Sequence, residues 1–373
     1  MNLLLRIMKK IKVCPQYPWK FPDSSYYKNL LDFPAKDTEY VNYKKDKKIE
    51  IIGSSKKFEK VRIFKNFIRK ILSILKIPNL TFSLKNDADL IYCAHCLSFN
   101  RKPWVVDTET YERLSASGGN VADKGLGKWI IKKRLESKHC KKIICWSDDC
   151  KKSFEDAFPN DRRILDKITI LPFALPMPKF KKIKHKNLRI LFIARWFEAK
   201  GGRQTLEVFD RLTKKHPKIE CWFICQTPKE LAEKYSYNKK IKIMDIMPQE
   251  KLFREVYPAC DIFFYPGFGD SYGFAVPEAM SFGLPIVTTN TFAKKEIVGS
   301  AGFLIDLPNN WTGYWDMNDG FINELAQKTE ILIKNKKLRE KMGKNAIKEA
   351  KEKFSIEKRN EKLGQIYKEA MRI

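Results

Sequence analysis

Six short apolar runs punctuate the second half of this chain, at Leu188 to Ala194, Ile219 to Cys225, Ile241 to Ile246, Asp261 to Pro266, Pro285 to Thr289 and Gly302 to Ile305. Helical patterns separate them. Between the first two, Leu206, Phe209 and Leu212 recur at a spacing of three, and Val208 to Leu212 adds a spacing of four. Strands alternating with amphipathic helices predict a parallel, doubly wound sheet. The first half is less regular, yet Asp89 to Ala94, Trp104 to Asp107, Lys142 to Ser147 and Thr169 to Pro172 also read as strands, so a second α/β lobe is expected there.

At 373 residues the chain is too long for one ordinary core and fits two domains. The stretch from Pro172 to Asn187, with Pro172, Pro176 and Pro178 ahead of a Lys-rich segment, is too polar and too rich in proline for an element and reads as the linker. The expected division is an N-terminal domain over 1–178, a C-terminal domain over 179–353, and a charged amphipathic helix over 354–373 that packs back on the N-terminal domain. That helix sets Leu363, Ile366, Tyr367 and Ala370 on one face.

Composition narrows the partners. Lys and Arg outnumber Asp and Glu by 73 to 44, a net charge of +29. Three readings follow: nucleic acid, an anionic membrane face, or free use of Lys on every solvated surface. The basic residues come as scattered pairs such as Lys9-Lys10, Lys132-Lys133 and Lys181-Lys182, without a dense tract or interleaved aromatics, which disfavours a nucleic-acid module. The N-terminal Leu3-Leu4-Leu5 is cut off by Arg6, Lys9 and Lys10, so no signal-peptide core is expected, and no run approaches a membrane span. The expected location is the cytoplasm, with any membrane contact peripheral. Nine Cys lie at irregular positions, and Cys93 and Cys96 lack a second pair at zinc-ligand spacing, so buried free thiols are expected.

The most informative segment runs from Tyr265 to Pro285, where a strand ends and a helix opens. In a doubly wound sheet ligands bind at such points, because free N–H groups and the helix dipole favour an anion. Gly273 allows close backbone approach to a phosphate, and Ser271 is a candidate helix cap. Glu278, expected about one and a half turns into the helix, and Asp270 on the loop before it would then face one crevice, where two carboxylates can hold sugar hydroxyls. On chemistry alone, Asp270 capping a turn and Glu278 standing in solvent is the favoured reading. A second strand end, Phe192 to Gly202, sets Arg195 and Lys200 at its turn. A planar fork and a mobile point charge together suit a diphosphate, although a solvated pair is again the plain alternative.

The order of these motifs resembles the nucleotide-binding domain of the retaining, family-4 type of GT-B glycosyltransferases, the glycosyl transferases group 1. That family's Arg, four residues, then Lys-Gly is matched by Arg195, Lys200 and Gly201. Its carboxylate, seven residues, then Glu-Ala is matched by Asp270, Glu278 and Ala279. Gly283-Leu284-Pro285 and the later Gly302-Phe303 follow in order, and the similarity runs from about Leu188 to Tyr367. The resemblance implies a GT-B fold, two Rossmann-like α/β domains with parallel sheets facing a central cleft. It implies that Arg195, Lys200 and Gly201 hold the donor diphosphate, that Ser271, Tyr272, Gly273, Phe274 and Ala275 line the donor with backbone N–H groups offered by the last three, that Glu278 takes the ribose, and that Asp270 touches the transferred sugar. The family's first carboxylate is usually Glu, and the shorter Asp270 departs from it. The loop between Ile243 and Pro248 would lie beside the base.

The N-terminal half matches less closely. Its first strand-to-helix loop, Cys14 to Ser25, lacks the family's paired glycines and carries Pro15, Pro18 and Pro22. The strand from Pro103 to Glu109 resembles one that carries a catalytic His or Asp in many relatives and offers Asp107 and Glu109, of which Glu109 is the candidate. His95 and Ser147 read as structural. The activity implied is hexosyl transfer with retention from a nucleotide sugar to a hydroxyl of a glycan or lipid-linked acceptor. No metal or other cofactor is expected, since Arg195, Lys200 and the helix N-terminus can stabilise the departing diphosphate, and the Asp87-Ala88-Asp89 triplet lies in the other half. Two alternatives stand beside it: an inactive GT-B scaffold that binds a nucleotide or an acidic polymer, and nucleic-acid binding through the scattered Lys. A sugar-phosphate synthase or phosphorylase is also compatible with the fold.

Overall fold

The computed structural model of the chain describes residues 10–16, 25–41, 71, 74, 77–82, 87–115 and 124–372. Leu3-Leu4-Leu5, Arg6 and Lys9, together with Pro18 and Pro22, lie outside the described residues. The rest forms two compact units. One runs up to Ala174 and takes in the terminal helix Ile356–Arg372; the other is Leu175–Ser355.

The first unit carries β1 (Ile11–Gln16), β2 (Thr38–Tyr40), β3 (Leu80–Thr81), β4 (Leu90–Ala94), β5 (Leu97–Ser98), β6 (Trp104–Thr108), β7 (Cys140–Cys145) and β8 (Ile168–Ile170). Six of these make one parallel sheet in the order β2-β1-β4-β6-β7-β8, and β3 pairs with β5 beside it. Every residue of β4 and β6 is buried, as the inner strands of a parallel sheet covered on both faces must be. The helix Asp148–Ala157 starts where it does because the Ser147 side chain accepts a hydrogen bond from the Cys150 amide at 3.0 Å, and Asp148 and Asp149 place negative charge in its first turn. The terminal helix buries Leu363, Ile366, Tyr367 and Ala370, packs on β4 and β7, and sets the Tyr367 ring edge-on to Tyr92. Its buried Arg359 donates to the carbonyls of Asn29 and Phe33, which satisfies the guanidinium where water cannot.

The second unit carries β9 (Leu188–Ile193), β10 (Ile219–Ile224), β11 (Ile241–Met244), β12 (Ile262–Tyr265), β13 (Ile286–Thr289) and β14 (Gly302–Ile305), all parallel, in the order β11-β10-β9-β12-β13-β14. Between Ile170 and Leu188 there is neither helix nor strand, only an isolated bridge from Leu175 to Ser355. The helix Gly202–Lys215 buries Leu206, Val208, Phe209 and Leu212 on the sheet and ends on Lys214 and Lys215, where positive charge suits the helix dipole. Its buried Thr205 and Thr213 hydroxyls return to the carbonyls four residues back, at 2.7 Å each. Chain order reverses between β9 and β12, so the loops leaving these two strands flank the crevice at the carboxyl edge of the sheet.

Candidate active site

The two loops at that crevice are the ones that carry the basic and acidic motifs, and the backbone ties them together. The Gly267 amide donates to the Lys200 carbonyl at 3.1 Å and the Gly269 amide to the Ala199 carbonyl at 2.8 Å. Gly201, the residue ahead of the helix Gly202–Lys215, has φ of 78°, and a Cβ there would stand 2.7 Å from Pro266 Cβ, so only glycine lets the loops close. The result is direct contact between the motifs: Lys200 Nζ lies 2.9 Å from Asp270 Oδ1 and 3.3 Å from the Gly269 carbonyl. The other Asp270 oxygen accepts the Tyr265 hydroxyl. Burial and the neighbouring Asp270 carboxylate push the Tyr265 phenol well above its ordinary pKa, so it stays a donor. Arg195 is exposed on the same turn as Lys200.

Glu278 belongs to a separate polar group. Its Oε1 accepts from Gln249 Nε2 at 2.7 Å and its Oε2 from the Tyr257 hydroxyl at 3.1 Å, and the side chain is buried. The helix that carries it begins at Ala275, so Glu278 sits in the first turn and not one and a half turns in. The cap assigned to Ser271 is likewise corrected. The residue ahead of the helix is Phe274 and no side chain caps it, because Gly273 at φ 76° holds the chain in a left-handed turn and delays the helix past Ser271. Ser271 and Tyr272 are buried beneath that turn. Gly273, Phe274 and Ala275 precede the first backbone bond of the turn, from the Val276 amide to the Gly273 carbonyl. The stretch after β11 leads directly to Gln249, the partner of Glu278.

Four contributors have no sequence signature. Gln249 and Tyr257 reach Glu278 from 29 and 21 residues away, and Tyr265 reads as the last apolar position of a strand. Lys294 reads as one more surface pair with Lys295, yet it is fully buried under the loop after β12.

Glu109 lies in the first unit, where its carboxylate is paired with Arg113 at 2.8 Å. Asp107 is enclosed, accepting from the Tyr27 hydroxyl at 2.9 Å and from Trp146 Nε1 at 3.2 Å, and burial raises it to about 7. His95, at φ 51°, is brought down to about 4 by burial and is neutral, with its ring 3.1 Å from the Thr108 hydroxyl. Ser147 is the helix cap described above. All nine Cys are free and buried, and burial raises the Cys93 thiol, which makes it a poor nucleophile. Among the described residues no group of three or more His, Cys, Asp or Glu gathers as metal ligands.

Residues 176–349 match the family described as Glycosyl transferases group 1. Among curated proteins the chain is similar to the phosphatidylinositol N-acetylglucosaminyltransferase GPI3 subunit of Saccharomyces cerevisiae, 26% identical over 207 residues, which are 52% of this chain and 42% of that protein. The match thus spans less than half the length of that relative. Among solved structures it is similar to WaaG, a glycosyltransferase involved in lipopolysaccharide biosynthesis, with a TM-score of 0.60 at 15% identity over 96% of this chain and 99% of that one. A glycosyltransferase from Rickettsia africae ESF-5 superposes with a TM-score of 0.61 at 15% identity, covering 98% and 99%. The fold is therefore GT-B, two Rossmann-like units with parallel sheets.

Proposed function

We propose that this chain, which through residues 176–349 belongs to the glycosyl transferases group 1 family, moves a hexose from a nucleotide-sugar donor to a hydroxyl of a glycan or lipid-linked acceptor, with retention of anomeric configuration. The observation that carries the reading is the Lys200–Asp270 contact at the switch point of the matched unit, which brings a cation and a carboxylate to one place from two motifs 70 residues apart.

In this reading Arg195 and Lys200 bind the donor diphosphate beside Gly201, and Gly273, Phe274 and Ala275 offer it their amides. As the bond from the anomeric carbon to the phosphate oxygen breaks, the diphosphate gains negative charge that these groups stabilise without a metal ion. Asp270 leaves Lys200 to meet the sugar, with Tyr265 holding its second oxygen. Glu278, fixed by Gln249 and Tyr257, takes the ribose hydroxyls, which a carboxylate with about four acceptor sites can do. The first unit holds the acceptor, with Glu109 nearest in role to the family's N-terminal catalytic residue. A lipid-linked acceptor accords with the names of the yeast and lipopolysaccharide relatives, and the net charge of +29 suits peripheral contact with an anionic membrane at its cytoplasmic face.

Incubation of the full chain with UDP-, GDP- and ADP-sugars and a panel of glycan and lipid-linked acceptors, with magnetic resonance of the product, tests the reading. An α-linked product from an α-linked donor is expected. A β-linked product would contradict retention. Nucleotide binding without transfer to any acceptor would instead favour an inactive scaffold, the reading that the Asp270 departure from Glu keeps in view.

A further inference from the structure

No part of the Lys294 side chain reaches the surface. Its ammonium donates to the carbonyls of Pro266 at 3.1 Å and Gly267 at 2.6 Å, to the Thr289 hydroxyl at 2.9 Å, and to the Thr291 hydroxyl. The first two partners belong to the loop after β12, four and three residues before Asp270; the other two are Thr289, the last residue of β13, and Thr291 just beyond it. Thr289 also donates to the Pro266 carbonyl at 2.6 Å. From the opposite side the same loop is held by its Gly267 and Gly269 amides on the turn after β9. The loop is thus strung between two anchors. One is backbone on backbone, and the other is the buried Lys294 cation with the Thr289 hydroxyl beside it.

That cation is expensive to keep. Burial drags Lys294 from its ordinary 10.5 down to about 7; the Asp270 carboxylate partly offsets this and Lys200 adds to it. Removing the ammonium would strand the buried carbonyls it satisfies, so the side chain both stabilises this region and fixes the position of the loop directly above it.

We propose that Lys294 is the positioning residue of the donor loop: by gripping the Pro266 and Gly267 carbonyls it sets where Asp270 meets Lys200, and donor affinity depends on its charge although it does not touch the donor. The inference rests on the nucleotide-sugar reading of this site. The titratable groups facing Lys294 are Asp270 and Lys200 on the two loops and Tyr265, packed with it against Gly267, while Lys295 and Glu296 follow on its own helix. A neutral amine has two N–H donors where the ammonium has three, so raising the pH releases part of the grip.

The test is calorimetric titration of the full chain with UDP, GDP and ADP from about pH 6 to about pH 8.5, for wild type, Lys294→Met and Thr291→Val. The nucleotide's own titration is common to all three proteins, so the ratio of affinities isolates Lys294. Lys294→Met should melt lower than wild type, because the Pro266 and Gly267 carbonyls lose a donor, and where folded should bind roughly tenfold more weakly near pH 6, a ratio that shrinks to about threefold or less by pH 8.5. Thr291→Val, which removes one acceptor of the ammonium, should shift the midpoint of the wild-type pH profile downward. Equal binding by folded Lys294→Met at every pH would overturn the proposal, as would an unmoved midpoint in Thr291→Val should the first variant fail to fold. If the folded wild type binds none of the three nucleotides, the donor-site reading fails and this inference falls with it, an outcome distinct from equal binding by both proteins.

Discussion

Asp107 shows how burial alone makes a titrating group. Hydrogen bonding from Tyr92, Tyr27, Tyr26 and Trp146 holds its carboxyl down, yet burial outweighs this and carries it to about 7. The folded chain therefore keeps a proton that the unfolded chain releases near 3.8. The stability this contributes is complete below the unfolded value and is lost as pH rises through 7. Urea denaturation at about pH 5 and about pH 8 should show a larger loss for wild type than for Asp107→Asn, which cannot titrate. Parallel losses in the two proteins would contradict the assignment. Sequence reveals only part of the candidate site. Arg195, Lys200, Asp270 and Glu278 were legible as candidates because they follow strand ends in a fixed order. Gln249, Tyr257 and Lys294 were not, because Glu278 and the Gly267 carbonyl lie 21 to 29 residues from them along the chain and local pattern carries no trace of those contacts.

At the scale of elements, the apolar runs that predicted β9 to β14 mark those strands to within one or two residues, because strands of a parallel sheet are mostly apolar where helices cover them, with polar residues admitted near their ends and at the edge strand β11. The short edge strand β2 and the two-residue pair β3 and β5 escaped notice, since two or three residues cannot establish a period. Irregular backbone hid the most. The segment Leu252–Val256 runs as a π-helix into the 3₁₀ turn Tyr257–Ala259, and this departure from the 3.6-residue period leaves no regular pattern from which the Tyr257 contact with Glu278 could be read. The late start of the helix Ala275–Ser281 has the same kind of cause. A left-handed Gly273 holds the preceding residues in a turn, so a serine at a cap-like position does not cap this helix.

For the molecule as a whole, fold and chemistry rest on different supports. Two parallel sheets and the likeness to solved glycosyltransferases establish GT-B architecture, which by itself fixes no reaction. The charge of +29 is a property of the same scale, and among the described residues no helix is long and apolar enough to cross a membrane. If the charge serves peripheral contact, co-sedimentation with phosphatidylglycerol vesicles should be strong at about 0.05 M salt and fall several-fold by about 0.5 M, as exposed charges are screened. Equal recovery with phosphatidylcholine vesicles would assign the lysines to plain solvation. The central claim concerns the donor, and calorimetry of the full chain against a panel of nucleotide sugars tests it most directly, with Glu278→Ala and Arg195→Ala beside the native protein. One class of donor should bind selectively, and each variant should weaken it by roughly tenfold or more. Failure of the folded native chain to bind any donor would contradict the account.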